Sequence, residues 1–251
     1  MIAPLTPQRW AVALIATASL ALSAAPSAAG GQEAACPTPD GFGASEATLP
    51  KTAKALASGS PVVIVALGGA STLGVAAGGT SLAWPSRLAV VLAGRFSSAR
   101  VKVVNLAMSR QTAREAAGRL AREVLPLRPT LLIWETGTVE AVRGTDVDEF
   151  RETVQAGVDE LHAAGIEVVL MNAQFSRDTD AVIRFEPYLD VLREVADANQ
   201  VPVFDRHGLM RYWAETGVLD FRTKDGDKRR RLATRLYDCL GRAMAALVTR
   251  P

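Results

Sequence analysis

Continuous apolar runs alternate with segments of helical periodicity from residue 62 to the end of the chain. Such runs predict strands that are buried on both faces, because a strand with one solvated face alternates apolar and polar residues. Five runs of this kind follow one another, separated by longer segments. They cover residues 62–67, 101–106, 130–134, 167–171 and 201–204.

Segments with a period near 3.6 residues fill the gaps between the runs. Pro85 suits the first turn of one such segment, because its fixed φ matches that of a helix. Strands that alternate with helices indicate a parallel sheet covered on both faces. We therefore expect one three-layer α/β/α domain, doubly wound around a five-stranded parallel sheet as in flavodoxin-like proteins. The predicted helices cover residues 51–57, 85–93, 113–124, 146–164 and 232–249.

The first 29 residues have the features of a secretory signal peptide. Arg9 is their only charged residue, and the apolar run at 10–22 is followed by small residues. Since a membrane span needs about 20 residues, this run is more consistent with cleavage than with a retained anchor. We predict a periplasmic or secreted protein with no stable membrane span after cleavage. The predicted organisation is a signal peptide at 1–29, an N-terminal arm at 30–60 and one domain at 61–251.

Composition narrows the function classes. The 251 residues are 49% hydrophobic and 22% charged, enough for a full-sized core, and the net charge of +2 argues against a nucleic-acid partner. Two His and two Cys make a zinc site improbable, so we expect neither metal nor cofactor. Export favours a disulfide between Cys36 and Cys239, the alternative being two unrelated buried thiols.

The segments that follow the predicted strands are the place to look for chemistry, because ligands bind at the carboxyl ends of parallel strands. Residues 65–74 read Val-Ala-Leu-Gly-Gly-Ala-Ser-Thr-Leu-Gly. This sequence resembles the first block of the SGNH/GDSL hydrolases, Gly-Asp-Ser-x-Thr-x-Gly. Residues 103–112 and 132–141 resemble the second and third blocks, in the same order. The resemblance spans residues 50–250 and implies the fold of an ester hydrolase.

The family's catalytic positions carry other residues in this chain. The resemblance assigns Ala70 to the position of the nucleophilic serine and Arg110 to that of the glycine that donates to the oxyanion. Val139 takes the place of the asparagine, the second oxyanion donor, and is followed by Glu140 where aspartate is usual. Counting back from the closing helix places Arg231 at the catalytic histidine. Since alanine has no attacking oxygen and arginine is no base, we predict a pseudoenzyme.

A relocated catalytic triad is the alternative hypothesis. Ser71 stands one residue beyond the nucleophile position, and His207 follows the last predicted strand with Asp205 two residues before it. A triad is defined by geometry and not by chain order, so Ser71, His207 and Asp205 form an alternative active site of a carboxylic-ester hydrolase. The simpler interpretation of Ser71 is a helix-capping hydroxyl.

A basic run at residues 228–231 is the most distinctive local charge. Such runs are usually solvated surface. The alternative is a cationic site, in which Arg110 and Arg231 face one cleft and bind an anionic ligand, since the guanidinium fork suits carboxylates. The resulting prediction is a binding or accessory protein for an anionic or glycan ligand of the cell envelope. The oligomeric state stays open, as does a purely structural role with a protein partner.

Overall fold

The computed structural model describes Met1, residues 36–43 and residues 47–250. Apart from Met1, the predicted signal peptide lies outside the described residues. All elements discussed below belong to one compact unit, Cys36–Pro251. Within the described part of the chain, no helix combines the length and apolarity needed to cross a membrane.

Five parallel strands form one sheet, in the order β2-β1-β3-β4-β5. The doubly wound parallel sheet predicted from the apolar runs is confirmed. The last strand begins two residues later than predicted, because Pro202 has no N–H to donate to the ladder, although its carbonyl still accepts from Leu170 N at 3.1 Å. The strands are β1 (Val62–Leu67), β2 (Val101–Asn105), β3 (Leu131–Glu135), β4 (Glu167–Met171) and β5 (Val203–Phe204).

Ten α-helices are described, and five of them lie outside the predicted helices: Ala70–Leu73, Thr138–Arg143, Arg177–Asp180, Glu186–Asn199 and Arg206–Glu215. The segment at 113–124 is not one helix, because Gly118 follows the short α4 and a π-helical turn, Leu120–Val124, comes next. The helices are α1 (Pro50–Ala57), α2 (Ala70–Leu73), α3 (Trp84–Arg95), α4 (Ala113–Ala117), α5 (Thr138–Arg143), α6 (Val147–Ala163), α7 (Arg177–Asp180), α8 (Glu186–Asn199), α9 (Arg206–Glu215) and α10 (Gly226–Val248).

Two hydrophobic cores flank the sheet, one on each face. Alternate residues of β1 divide between them: Ile64 packs with side chains of α3 and α10, and Val65 packs with side chains of α6. The fit on the second face is tight at Gly157, where a Cβ would lie 2.5 Å from the ring of Trp134. The predicted three-layer α/β/α architecture is therefore confirmed.

A disulfide joins Cys36 to Cys239, as predicted, with the two Cα atoms 5.5 Å apart. It attaches the N-terminal arm to the buried face of α10. Trp213 adds a second attachment, because its Nε1 donates to the carbonyl of Pro37 at 2.7 Å. The bridge spans 203 residues, a separation at which the chain-entropy estimate of its stabilisation is about 5 kcal/mol.

Candidate functional site

A cleft of about 320 Å³ opens at the carboxyl edge of the sheet, where parallel α/β folds bind ligands. Loops and helix starts after β1, β2, β3 and β4 contribute to its wall. The wall contains two arginines, two glutamines and the side chain of Ser71. The lining residues are Gly69, Ala70, Ser71, Arg110, Gln111, Glu135, Thr136, Thr138, Val139, Glu140, Val142, Arg143 and Gln174.

Glu135, the last residue of β3, is the centre of a buried polar cluster at the floor of the cleft. It is only 7% exposed. Its Oε2 accepts hydrogen bonds from the backbone N of Gly69 at 3.1 Å, from Ser71 Oγ at 3.2 Å and from the hydroxyl of Thr72. Burial alone raises the pKa of a carboxyl, but the Arg206 guanidinium and these hydrogen bonds outweigh burial and hold the pKa of Glu135 below its usual range.

Arg206 is the cation of this cluster. It is the first residue of α9, two residues after the end of β5, and it is fully buried. Its Nη2 donates to Glu135 Oε1 at 2.9 Å and its Nη1 donates to Ser71 Oγ at 2.7 Å. The guanidinium therefore bridges a serine and a carboxylate, as the histidine of a hydrolase triad does, but it cannot accept a proton.

Hydrogen bonds from outside the cluster fix the position of Thr72, and the carboxylate of Glu135 leaves no room for a side chain at residue 68. Thr72 Oγ1 accepts from Trp84 Nε1 at 3.0 Å, and Asn105 Nδ2 donates to the carbonyl of Thr72 at 2.7 Å. A Cβ at Gly68 would lie 2.5 Å from Glu135 Oε2. The strand-to-helix turn after β1 is thus shaped around the carboxylate.

His207 does not face Ser71. The imidazole Nε2 lies 2.6 Å from Asp180 Oδ1, and the ring packs against Phe175 and Phe185 with centroid distances of 5.4 and 5.7 Å. The hydrogen bonds of the Ser71 hydroxyl go to the Glu135–Arg206 pair instead. This is a correction to the relocated triad, and its cause is that Arg206, not His207, points from the end of β5 toward the cleft.

Asp205 has a structural task at the same strand end. Its Oδ1 accepts from Asn172 Nδ2 at 2.7 Å and from the backbone N of Gly208 at 3.0 Å, which caps α9. The backbone N of His207 donates to Asn172 Oδ1 at 2.9 Å. Asp205 and His207 are therefore held close to each other without a hydrogen bond between their side chains.

Three of the replaced family positions converge on the cleft. Ala70 begins α2, Val139 lies in α5, and Arg110 follows β2; all three line the wall. Arg110 adopts a φ of +63°, in the left-handed region that glycine occupies at least cost. A backbone suited to glycine at this position supports the alignment in which Arg110 replaces the family's glycine.

Glu140, the fourth replaced family position that lines the cleft, links the starts of two helices by hydrogen bonds. Its Oε1 accepts from the backbone N of Ala113 at 2.5 Å and its Oε2 from that of Gly137 at 3.1 Å. The side chain therefore satisfies N–H groups at the starts of α4 and α5, which have no partners inside those helices. Burial raises the pKa of Glu140, and the backbone hydrogen bonds offset this only in part.

Arg231 does not line the cleft. It is exposed on α10, which begins at Gly226 instead of residue 232, so the basic run forms part of the helix. The arginine that shares the cleft with Arg110 is Arg143, whose Nη2 donates to the carbonyl of Arg110 at 3.4 Å. The predicted pairing of Arg110 with Arg231 is corrected accordingly.

Sequence reasoning missed the two residues that form the core of the site. Glu135 was assigned to the third block without a role, and Arg206 lay between two residues of the proposed triad. A signal was present, since each follows a predicted apolar run by at most two residues and their charges are opposite. Buried charges occur in pairs, so opposite charges at the ends of two apolar runs indicate an ion pair, but β4 lies between these two strands and neither run identifies its partner.

The parallel sheet and the cleft at its carboxyl edge define an α/β/α protein with a ligand-sized site. Residues 35–251 match the Non-GDSL lipase-like family. The chain belongs to this family, which confirms the resemblance to SGNH/GDSL hydrolases noted in the sequence. A search of the curated proteins found no match.

Solved structures of lipolytic enzymes and esterases share the fold. A lipolytic protein of the G-D-S-L family from Desulfitobacterium hafniense is 19% identical, with 74% of this chain and 99% of that one covered and a TM-score of 0.55. A lipase/acylhydrolase from Enterococcus faecalis is 22% identical, covering 75% and 95%, with a TM-score of 0.61. A two-domain esterase active on acetylated mannans is 17% identical, covering 80% of this chain but 54% of that one, with a TM-score of 0.63.

Proposed function

We propose that this protein is a non-hydrolytic member of its family that binds an anionic or glycan ligand of the cell envelope in the cleft. The observation that carries the proposal is the contact of Arg206 Nη1 with Ser71 Oγ at 2.7 Å. It puts a permanently protonated group where a hydrolase needs its general base.

Hydrolysis by a serine requires a base that takes the hydroxyl proton during attack. The neighbours of Ser71 Oγ are the Arg206 guanidinium, which has no acceptor, and Glu135. The lowered pKa of Glu135 makes its carboxylate a weak base, and three donors besides Ser71 already occupy it. Neither neighbour is matched to serine activation near neutral pH.

The polar groups of the cleft wall favour an anionic, hydroxyl-rich ligand. Arg110 and Arg143 supply guanidinium groups, and the amides of Gln111 and Gln174 add donors and acceptors. The hydroxyl of Thr138, buried in the same wall, has no hydrogen-bond partner within the described protein. A carboxylate-bearing sugar offers both the charge for the arginines and hydroxyls for the remaining groups.

Export to the periplasm or the cell exterior is part of the proposal. The disulfide between Cys36 and Cys239 supports it, because disulfides persist in oxidising compartments. One structural relative is an esterase active on acetylated mannans, which makes glycans a ligand class to test first.

Ester hydrolysis through Ser71 is the second candidate function. One specific observation favours it: Ser71 lines the cleft and its hydroxyl donates to a carboxylate. In this mechanism Glu135 would take the proton directly, and the fold relatives include esterases.

Two assays on the purified protein separate the candidates. Hydrolysis of nitrophenyl acetate is compared between the wild type and Ser71→Ala, and calorimetric binding of oligogalacturonate is compared with that of an uncharged oligogalactose. The non-hydrolytic function predicts equal background hydrolysis in both proteins. It also predicts uronate binding that Arg110→Gln weakens by about tenfold, the loss of one charge-assisted contact.

Arg211→Gln serves as the matched control, because Arg211 is exposed on α9 and does not line the cleft. Its uronate affinity is expected to equal that of the wild type. Hydrolysis that disappears in Ser71→Ala would establish the esterase instead. Equal affinities in the two arginine variants would refute an anion site at Arg110.

A further inference from the structure

A second cationic region lies away from the cleft, at the start of α10 and the loop before it. We call it the basic surface. Residues 222–235 contain seven cationic and two acidic residues. Since the whole chain has a net charge of only +2, the rest of the protein is net negative. All its cationic side chains are exposed. They belong to Arg222, Lys224, Lys228, Arg229, Arg230, Arg231 and Arg235.

None of these seven side chains forms an ion pair within the described residues. Elsewhere in the protein, exposed arginines do so repeatedly, as Arg114 does with Glu149 and Arg193 with Asp190. The two acidic residues of the stretch form no ion pair with these cations among the described residues either. The carboxylate of Asp225 instead caps the helix, because its Oδ1 accepts from the backbone N of Lys228 at 2.7 Å. The basic surface thus keeps its charge available to a partner.

The position of the charges on the helix costs stability. α10 begins at Gly226, so residues 228–231 occupy its first turn and a half, at the positive end of the helix dipole. Cations at this end are unfavourable, and Asp227 is the one acidic side chain in the first turn. A sequence selected for stability alone would place the acidic residues here and the basic ones at the other end.

An exposed aliphatic side chain accompanies the cations. Arg229 and Arg230 line a cavity of about 480 Å³ together with Asp227 and with Val75, from the turn Val75–Ala77 on which α10 packs. Val75 is 57% exposed. Cationic side chains around a protruding apolar residue are typical of proteins that bind at the membrane interface.

We propose that the basic surface docks the protein onto an anionic phospholipid bilayer. The arginines contact lipid phosphates, Val75 inserts among the headgroups, and the cleft at the carboxyl edge of the sheet stays a separate binding site. Phe221, the one aromatic side chain among residues 220–235, is half-buried, which disfavours single-stranded nucleic acid as the partner, since its bases stack on aromatic rings. Each cation near an anionic bilayer strengthens binding roughly fivefold.

Vesicle sedimentation with the full chain tests this proposal. Binding is measured to phosphatidylcholine vesicles and to vesicles of phosphatidylcholine and phosphatidylglycerol in equal parts. The readout is the increment caused by phosphatidylglycerol, because the apolar run at 10–22 can bind any vesicle. In the triple variant Arg229→Gln/Arg230→Gln/Arg231→Gln we expect the affinity for the anionic vesicles to fall by at least tenfold, and Val75→Ser to lower it by about threefold.

The matched control is Arg95→Gln/Arg100→Gln/Lys102→Gln, which removes the same charge from exposed side chains near the amino end of β2. It is expected to bind like the wild type, and the wild-type increment is expected to fall as salt is raised. Equal losses in the two triple variants would overturn the proposal. So would wild-type binding to dextran sulfate without any phosphatidylglycerol increment, which would assign the basic surface to a soluble polyanion.

Discussion

Two buried glutamates border the same cleft and receive their hydrogen bonds from different kinds of donor. Glu135, at the end of β3, is 7% exposed, and Glu140, in α5, is 2% exposed. The carboxylate of Glu135 receives hydrogen bonds from a guanidinium and two hydroxyls, and its pKa is lowered. That of Glu140 receives backbone N–H groups, and its pKa is raised.

The difference shows what offsets the cost of burying a carboxylate. Backbone N–H groups satisfy the oxygens of Glu140 but do not compensate fully for lost hydration, whereas the full positive charge of Arg206 does so for Glu135. Glu140 accordingly acts as a link between helix starts. Glu135 fixes the cation that occupies the base position beside Ser71.

Glu135→Gln is expected to have the largest effect on stability. It leaves Arg206 buried without a counter-charge, and an arginine cannot neutralise itself by losing a proton. We expect the free energy of unfolding at pH 7 to fall by about 3–5 kcal/mol, as for other buried pairs that lose one partner. Urea denaturation measures the change. A loss of less than 1 kcal/mol would mean that the ion pair is not buried in solution.

Arg206→Met should destabilise less, by about 2–4 kcal/mol, because Glu135 can take up a proton once its cation is removed. The pH dependence should also change sign. In the wild type the lowered pKa of Glu135 gives stability that is present above the ordinary glutamate value of 4.5 and is lost as the pH falls through the folded-state pKa. In Arg206→Met burial raises this pKa, so the contribution of Glu135 grows on acidification.

Urea denaturation of the wild type and of Arg206→Met at several pH values below 7 tests this change of sign. The double variant Glu135→Gln/Arg206→Met is the control, because it removes the charge of both partners. We expect it to be more stable than Glu135→Gln. Its stability should show neither the loss on acidification expected of the wild type nor the gain expected of Arg206→Met. Parallel pH profiles for the wild type and Arg206→Met would refute the assignment of the lowered pKa to Arg206.

Glu140→Gln is expected to change stability at pH 7 by no more than about 1 kcal/mol. The amide avoids the desolvation of a charge but loses one accepted backbone hydrogen bond, and these effects oppose each other. A carboxyl with a raised folded-state pKa contributes stability below its unfolded pKa and loses it as the pH rises through the folded value. The wild type should therefore gain stability relative to Glu140→Gln on acidification, which the same denaturation series measures.

The sheet was predictable from sequence because each buried strand is a local run of apolar residues. The site was not predictable in this way, because its central contact is between residues far apart in the chain. The runs at 62–67 and 167–171 match β1 and β4 at both ends, since buried parallel strands are apolar throughout. The Glu135–Arg206 pair joins residues that are 71 positions apart, and no local pattern relates them. The start of α10 was missed for a different reason: its first turns are cationic and exposed, so they lack the apolar period that revealed the rest of the helix.

Ser71→Ala should have the smallest effect within the cluster, about 1 kcal/mol. Ser71 is the hydroxyl that faces the cleft, so water can replace it as the acceptor for Arg206 Nη1. Thr138→Val, on the α5 side, is the matched control, because the Thr138 hydroxyl has no partner among the described residues and its loss should leave stability unchanged. Thermal unfolding of both variants checks the pair. A loss from Ser71→Ala as large as that from Glu135→Gln would show that the cluster excludes water, and the cleft would then offer no polar floor to a ligand.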